Sequence, residues 1–264
     1  LAKRYNSLCE AEKAKGAFVC SSLPVDAIVR TQASSEDAVF VIEWAGDYQI
    51  PGLNDIEAVC CQGTAFAYKD VGLITCNHVL GFSGEIKGKH VETDISSSDV
   101  INVQLKISNP STGESWNAKV IHRDAHRDLA IVRFDHPDPP EHHHFIGMEQ
   151  PIQVGSSGIL IGFPNHTAGK RANFLNEKVL NRFPRSALER IEITGSIRQG
   201  NSGGLFVDEH YRVAGVAQQG ARQDCGNDEC LCVSVLDAWL SEYKSTFSAG
   251  NNSSEVVAAI VNGS

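Results

Sequence analysis

The sequence predicts an all-β protein of two packed barrels, with a helical extension before them and a helix after the second. Three features carry this. Short runs rich in β-branched and aromatic residues alternate with turn residues from residue 39 onward. These runs fall into two sets of similar strand content, separated by a break at residues 135–144 that holds three prolines and the triplet His142-His143-His144. After the second set, Trp239, Leu240 and Tyr243 recur at helical spacing.

In chain order, residues 1–16 are rich in Ala, Glu and Lys and read as a helix, the start of an extension over residues 1–36. The first barrel is expected over residues 37–140, with strands at 39–44, 63–68, 71–75, 100–107, 116–122 and 129–134. The second is expected over residues 141–248, with strands at 158–163, 178–183, 191–195, 204–207, 212–218 and 231–236 and a helix at 237–247. Residues 249–264 form a tail. No internal repeat of fixed period is present.

Composition narrows the function classes. The 264 residues suffice for one large barrel or two small ones sharing a core. Acidic residues number 32 against 23 basic, a formal net charge of −9, and no Lys/Arg run offsets it. Nucleic acid is therefore not an expected partner. No apolar stretch is long enough to cross a bilayer, so neither is a membrane. Leu1-Ala2-Lys3-Arg4 is followed by no apolar signal-peptide core and there is no initiator Met, so the chain reads as processed or as part of something longer. A regulatory domain or partner protein is thus one expectation.

Three segments carry chemistry. Gly200-Asn201-Ser202-Gly203-Gly204 can expose a serine hydroxyl on a tight turn and aim backbone N–H groups at a developing oxyanion, with the strand behind it as a rigid support. A plain glycine-rich hairpin loop is the bland alternative. In Thr75-Cys76-Asn77-His78-Val79-Leu80, His78 ends a β-rich run, where packed neighbours can hold a general base. Alone, it would more often be a structural histidine. Asp128 heads the apolar run Leu129-Ala130-Ile131-Val132, where an unpaired carboxylate is costly and a histidine N–H is a suitable partner. Asp124 competes for that role.

Taken together, in the order His, Asp, Ser, these segments resemble the trypsin/chymotrypsin-like serine peptidases, especially their simpler bacterial and organellar branch. Gly63-Thr64-Ala65-Phe66, Cys76-Asn77-His78-Val79, Arg127-Asp128-Leu129-Ala130, Gly200–Gly204 and Val213-Ala214-Gly215-Val216 carry the resemblance, which runs from about Gly63 to about Phe247. It implies two six-stranded Greek-key barrels with the site between them. It also implies a catalytic set of His78, Asp128 and Ser202, an oxyanion hole from the N–H groups of Gly200 and Ser202, and a protein or peptide as substrate. No metal or organic cofactor is implied. The floor of the specificity pocket falls at Ser196, and Gln199, Gln218, Gln219 and Gly220 are expected around it. A serine floor leans toward a small or polar, uncharged side chain, with Asp224 near enough to reverse that.

The chain also departs from the secreted members. Val79 stands where they carry a cysteine, and Asn201 where a zymogen switch needs an aspartate. The absence of the usual disulfides and of a signal peptide points to a cytoplasmic setting. Of the eight cysteines, Cys61 and Cys76 are the pair that could meet across the first barrel. Cys225, Cys230 and Cys232 read as a loop disulfide or buried thiols rather than a zinc site, since a fourth ligand is not evident. The histidine triplet reads as a solvated loop. Two rival functions compete with peptidase activity. A catalytically inactive binding module of the same fold needs a lost site residue, and none is lost. An acyl hydrolase of another fold usually carries its G-x-S-x-G elbow between a strand and a helix, with histidine last in chain order; here strands flank Ser202 and histidine comes first.

Overall fold

In the computed structural model the described residues are 27–52, 55–69, 71–195, 197–219 and 228–246. The helix expected at residues 1–16 and the tail lie outside them. Each barrel is closed and six-stranded, and every strand pair is antiparallel. The first has the order β1 (Val39–Gln49), β2 (Ile56–Tyr68), β3 (Gly72–Thr75), β8 (Leu129–Phe134), β7 (Glu114–Asp124), β6 (Val100–Asn109). The second runs β10 (Asn173–Arg185), β11 (Leu188–Ile193), β14 (Asp228–Cys232), β13 (Val213–Gln219), β12 (Leu205–Val207), β9 (Ser157–Gly162). Setting the extra hairpin β4 (Gly81–Ile86) and β5 (Lys89–Asp94) aside, both barrels follow one winding, the Greek key expected for the chymotrypsin-like fold.

Closure leaves no open sheet edge in either barrel. The interior is filled by apolar side chains, among them Phe40, Trp44, Phe66 and Ile107 in the first barrel and Phe206 in the second, each almost wholly buried. Burying such a side chain contributes about 1.5–3 kcal/mol. Trp44 also spends its polar group, since its indole N–H donates to Val79 O at 3.0 Å across the barrel. A short helix, Gln32–Ala38, precedes β1 and starts at a capping box in which Thr31 and Ser34 satisfy each other's backbone N–H groups.

Three expectations are corrected here. The run at 231–236 is not all strand, because the C-terminal helix spans residues 233–246. Val233, Leu236, Leu240 and Tyr243 are all buried, and their spacing is already helical from Val233 onward. The histidine triplet is packed rather than solvated. His142 sits edge-on to Phe40 at 5.6 Å, and burial pushes its pKa below the ordinary range. His143 Nδ1 lies 2.6 Å from Asp37 Oδ2. The linker is drawn in because it bridges the barrels: Phe145 N–H donates to Ala67 O, and Met148 N–H to Val213 O. Cys61 and Cys76 are both free thiols, since Cys76 turns toward the second barrel and its thiol donates to Ala217 O at 3.3 Å. The β4–β5 hairpin was not anticipated.

The C-terminal helix follows the second barrel in sequence yet docks on the first. Tyr68 Oη and Lys69 Nζ both donate to Asp237 Oδ1, at 2.9 and 2.7 Å. His122 stacks on Trp239 with ring centroids 5.5 Å apart, and Arg127 pairs with Glu242 at 2.8 Å. No helix among the described residues is long and apolar enough to cross a membrane.

Candidate active site

His78 lies in a single 3₁₀ turn, Asn77–Leu80, directly after β3. The turn is held from below by the Trp44 bond to Val79, whose side chain packs against Gly63: a β-carbon at Gly63 would stand 2.7 Å from both Val79 methyls. The imidazole itself is half-exposed. Asp128 heads β8 with φ 54°, a left-handed conformation that aspartate tolerates better than most residues. Both of its carboxylate oxygens serve His78. Oδ1 accepts the His78 backbone N–H at 2.8 Å, and Oδ2 accepts Nδ1–H at 2.7 Å. The proton thus sits on Nδ1, and Nε2 is left as the basic nitrogen.

The rival acid is otherwise engaged. Asp124 Oδ1 accepts the Arg127 backbone N–H at 2.8 Å and Oδ2 the Arg127 guanidinium at 2.7 Å. Burial works to raise its pKa, but the bonds and charge of Arg127 prevail and hold it below the usual carboxylate range.

Ser202 sits on the turn between residues 197 and 205, and the peptide planes of that turn are fixed by their carbonyls. Gln199 O accepts Asn165 N–H at 2.8 Å, so the N–H of Gly200, on the far side of the same trans peptide, points away from Asn165. Asn201 O accepts Gly204 N–H at 2.8 Å, which turns the Ser202 N–H outward in the same way. Neither N–H finds an acceptor among the described residues. Gly200 has φ +94°, and a β-carbon there would stand 2.3 Å from Phe163 O, so the position admits only glycine. Ser202 Oγ likewise has no hydrogen-bond partner among the described residues.

Thr64, fully buried on β2, joins the serine turn to the histidine barrel. Its N–H donates to Ser202 O at 2.9 Å, its hydroxyl to Gly200 O at 2.7 Å, and the same hydroxyl accepts Phe163 N–H at 3.0 Å. In the sequence Thr64 stands out only as part of the Gly63–Phe66 motif, because its three bonds are long-range and leave no local signal. Gln218, expected in the pocket wall, is 6% exposed and turned inward. Its amide N–H₂ donates to Arg127 O at 2.7 Å and Asp128 O at 3.0 Å. Gln199 is exposed beside the turn. Gln219 ends β13, while Ser196 and Gly220 lie outside the described residues, as do Asp224 and Cys225. Asp228, not foreseen, reaches the chain on either side of position 196. Its Oδ1 accepts Ile197 N–H at 2.9 Å, and a β-carbon at Gly195 would stand 2.5 Å from Oδ2.

Among the described residues, Cys76, His78 and Asp128 place metal-capable atoms within 4.8 Å of one another. The imidazole and carboxylate are already joined by their own hydrogen bond, and burial first, then the Asp128 charge, pushes the Cys76 thiol well up, so it is a neutral donor. Cys230 and Cys232 are buried free thiols, pushed up mainly by burial, Cys232 to about 12.

Residues 63–216, more than half of the chain, match the trypsin-like peptidase domain. The chain belongs to the trypsin-like peptidase family. This trypsin-like chain is similar in fold to the Rv3671c protease of M. tuberculosis in its active form, at 19% identity and a TM-score of 0.55, over 84% of this chain and 87% of that one. An inactive form of that protease with a serine-to-alanine substitution gives 18% identity and a TM-score of 0.56, over 86% and 96%. The serine endoprotease from Yersinia pestis gives 18% and 0.55, over 80% of this chain and 64% of that one. No curated protein matches the trypsin-like chain in sequence.

Proposed function

We propose that this chain is a serine endopeptidase that cleaves peptide bonds in a protein or peptide substrate through Ser202, His78 and Asp128. The observation that carries the reading is the doubly bonded His78–Asp128 pair, which fixes the imidazole tautomer with Nε2 basic. His78 takes the Ser202 proton as the hydroxyl attacks the scissile carbonyl, forming the C–O bond of a tetrahedral intermediate. The N–H groups of Gly200 and Ser202 receive its oxyanion, a contribution of about 3–4 kcal/mol per donor in comparable sites. His78 then gives the proton to the leaving amine, and water repeats the sequence to release the acyl group. A Ser202–His78 hydrogen bond often tightens only when substrate is bound.

A fluorophosphonate probe tests this directly. The expected adduct maps to Ser202 by mass spectrometry and is lost in His78→Ala. An adduct elsewhere, or no adduct on folded protein, sinks the reading and leaves an inactive binding module of the same fold.

For the side chain preceding the scissile bond, Asp228 supports a basic residue rather than the small, uncharged one that Ser196 suggests. A carboxylate at the backbone of Gly195 and Ile197 is the acid that a Lys or Arg pocket needs. An arginyl-coumarin substrate is expected to be cleaved about 10- to 100-fold faster than an alanyl one, the equivalent of one charge-assisted contact, and Asp228→Asn to erase most of the difference. Faster release from the alanyl substrate would refute it.

A further inference from the structure

The inward turn of Gln218 gives it a task other than lining a pocket. Its amide oxygen accepts from the Arg190 guanidinium at 2.8 Å, and Arg190 is itself buried, on β11 of the second barrel. A guanidinium has donors only, so the amide end that faces it must be oxygen. The N–H₂ end is thereby committed to the first barrel, where Arg127 O and Asp128 O accept its two protons. These carbonyls flank the left-handed turn that aims the Asp128 carboxylate at His78. The neighbouring residue on the same strand, Ala217, uses its carbonyl to accept Gly203 N–H at 2.9 Å, one residue after Ser202. Two consecutive residues of β13 therefore hold the serine turn and the aspartate turn in one register.

We propose that Gln218, oriented by Arg190, is a positioning residue that sets the Asp128–His78 pair against Ser202 across the two barrels. The proposal rests on the peptidase reading for its kinetic consequence, but its geometric part stands apart from activity. Gln218→Glu keeps the shape and the acceptor facing Arg190, while it replaces the two donated bonds with an oxygen facing two carbonyls. Gln218→Leu removes both ends.

Two measurements on the full chain test it. With a fluorophosphonate, kinact is expected to fall about 10- to 100-fold in Gln218→Glu with KI nearly unchanged, as for a misplaced catalytic group. By proton NMR, the low-field resonance of His78 Nδ1–H is expected to shift upfield or vanish in the variant, whether or not the wild type is labelled. A rise in KI at constant kinact would make Gln218 a pocket-wall residue and overturn the proposal. So would an unmoved resonance in folded Gln218→Glu, with Gln218→Leu as the second variant. A wild type that shows the resonance but takes no probe at Ser202 would instead be a failure of the peptidase reading.

Discussion

Replacing Asp128 with asparagine is expected to lower kcat about 10⁴-fold, replacing Ser202 with alanine about 10⁶-fold, and making both changes to cost no more than the serine change alone. The asparagine effect follows from the two bonds that Asp128 accepts. Asparagine has one carbonyl oxygen, and the His78 backbone N–H, an obligatory donor at 2.8 Å, claims it. The N–H₂ group is then opposite Nδ1, where a second donor cannot stand, so the neutral ring must hold its proton on Nε2. That tautomer cannot take the proton of Ser202. The fold should be unaffected, because asparagine fits the same space and tolerates the left-handed backbone. Non-additivity follows because the aspartate acts only through the histidine, and the histidine only through the serine. Steady-state kinetics on the three variants check this; losses that multiply in the double variant would mean that the residues do not work as a unit.

At Gly203 the expected effect falls on stability as well as activity. A β-carbon there would stand 2.2 Å from Thr64 O, 2.4 Å from Thr75 Oγ1 and 3.0 Å from Cys76 N. Two of these are backbone atoms of the first barrel, so relief requires the barrels to separate. The glycine also has φ +82°, which costs a side-chain-bearing residue about 1–2 kcal/mol on its own. Gly203→Ala is expected to lose more than about 3 kcal/mol in urea unfolding, together with fluorophosphonate labelling. Gly88 provides the comparison. It has φ +75° with nothing within 4 Å, so Gly88→Ala should cost only about 1 kcal/mol. Equal midpoints for the two variants would show that the close approach at Gly203 is not a constraint.

The fold and the candidate residues were legible to different depths, for physical reasons. His78, Asp128 and Ser202 each sit in a short segment whose neighbours announce the local geometry: an apolar run beside the charge, glycines around the hydroxyl. Gln218 was misread because its partners are a carbonyl 91 residues away and an arginine on another strand, and nothing adjacent to it records either. The β10–β11 hairpin was cut short in the sequence reading, which ended one strand at Phe183 and began the next at Ile191. Its turn uses Ser186 and Ala187 at φ 53° and 62°, without the Asn or Gly that usually marks such a turn. Val233-Ser234-Val235 carries strand propensity and still starts a helix, because the apolar stripe that docks on the first barrel decides the outcome over the local preference.

That docking bears on the order in which the protein is made. The first barrel has all its strands once Phe134 has been added, but Asp237 for Tyr68 and Lys69, Trp239 for His122 and Glu242 for Arg127 come only with the helix that follows β14. Roughly 100 residues separate the two events, on the order of ten seconds of synthesis at 5–20 residues per second. Through that interval the face of the first barrel that carries Tyr68 and His122 lacks the helix that covers it. The ribosome therefore releases the two barrels in sequence, while the molecule completes them together, when the helix after β14 closes over the barrel that was built first.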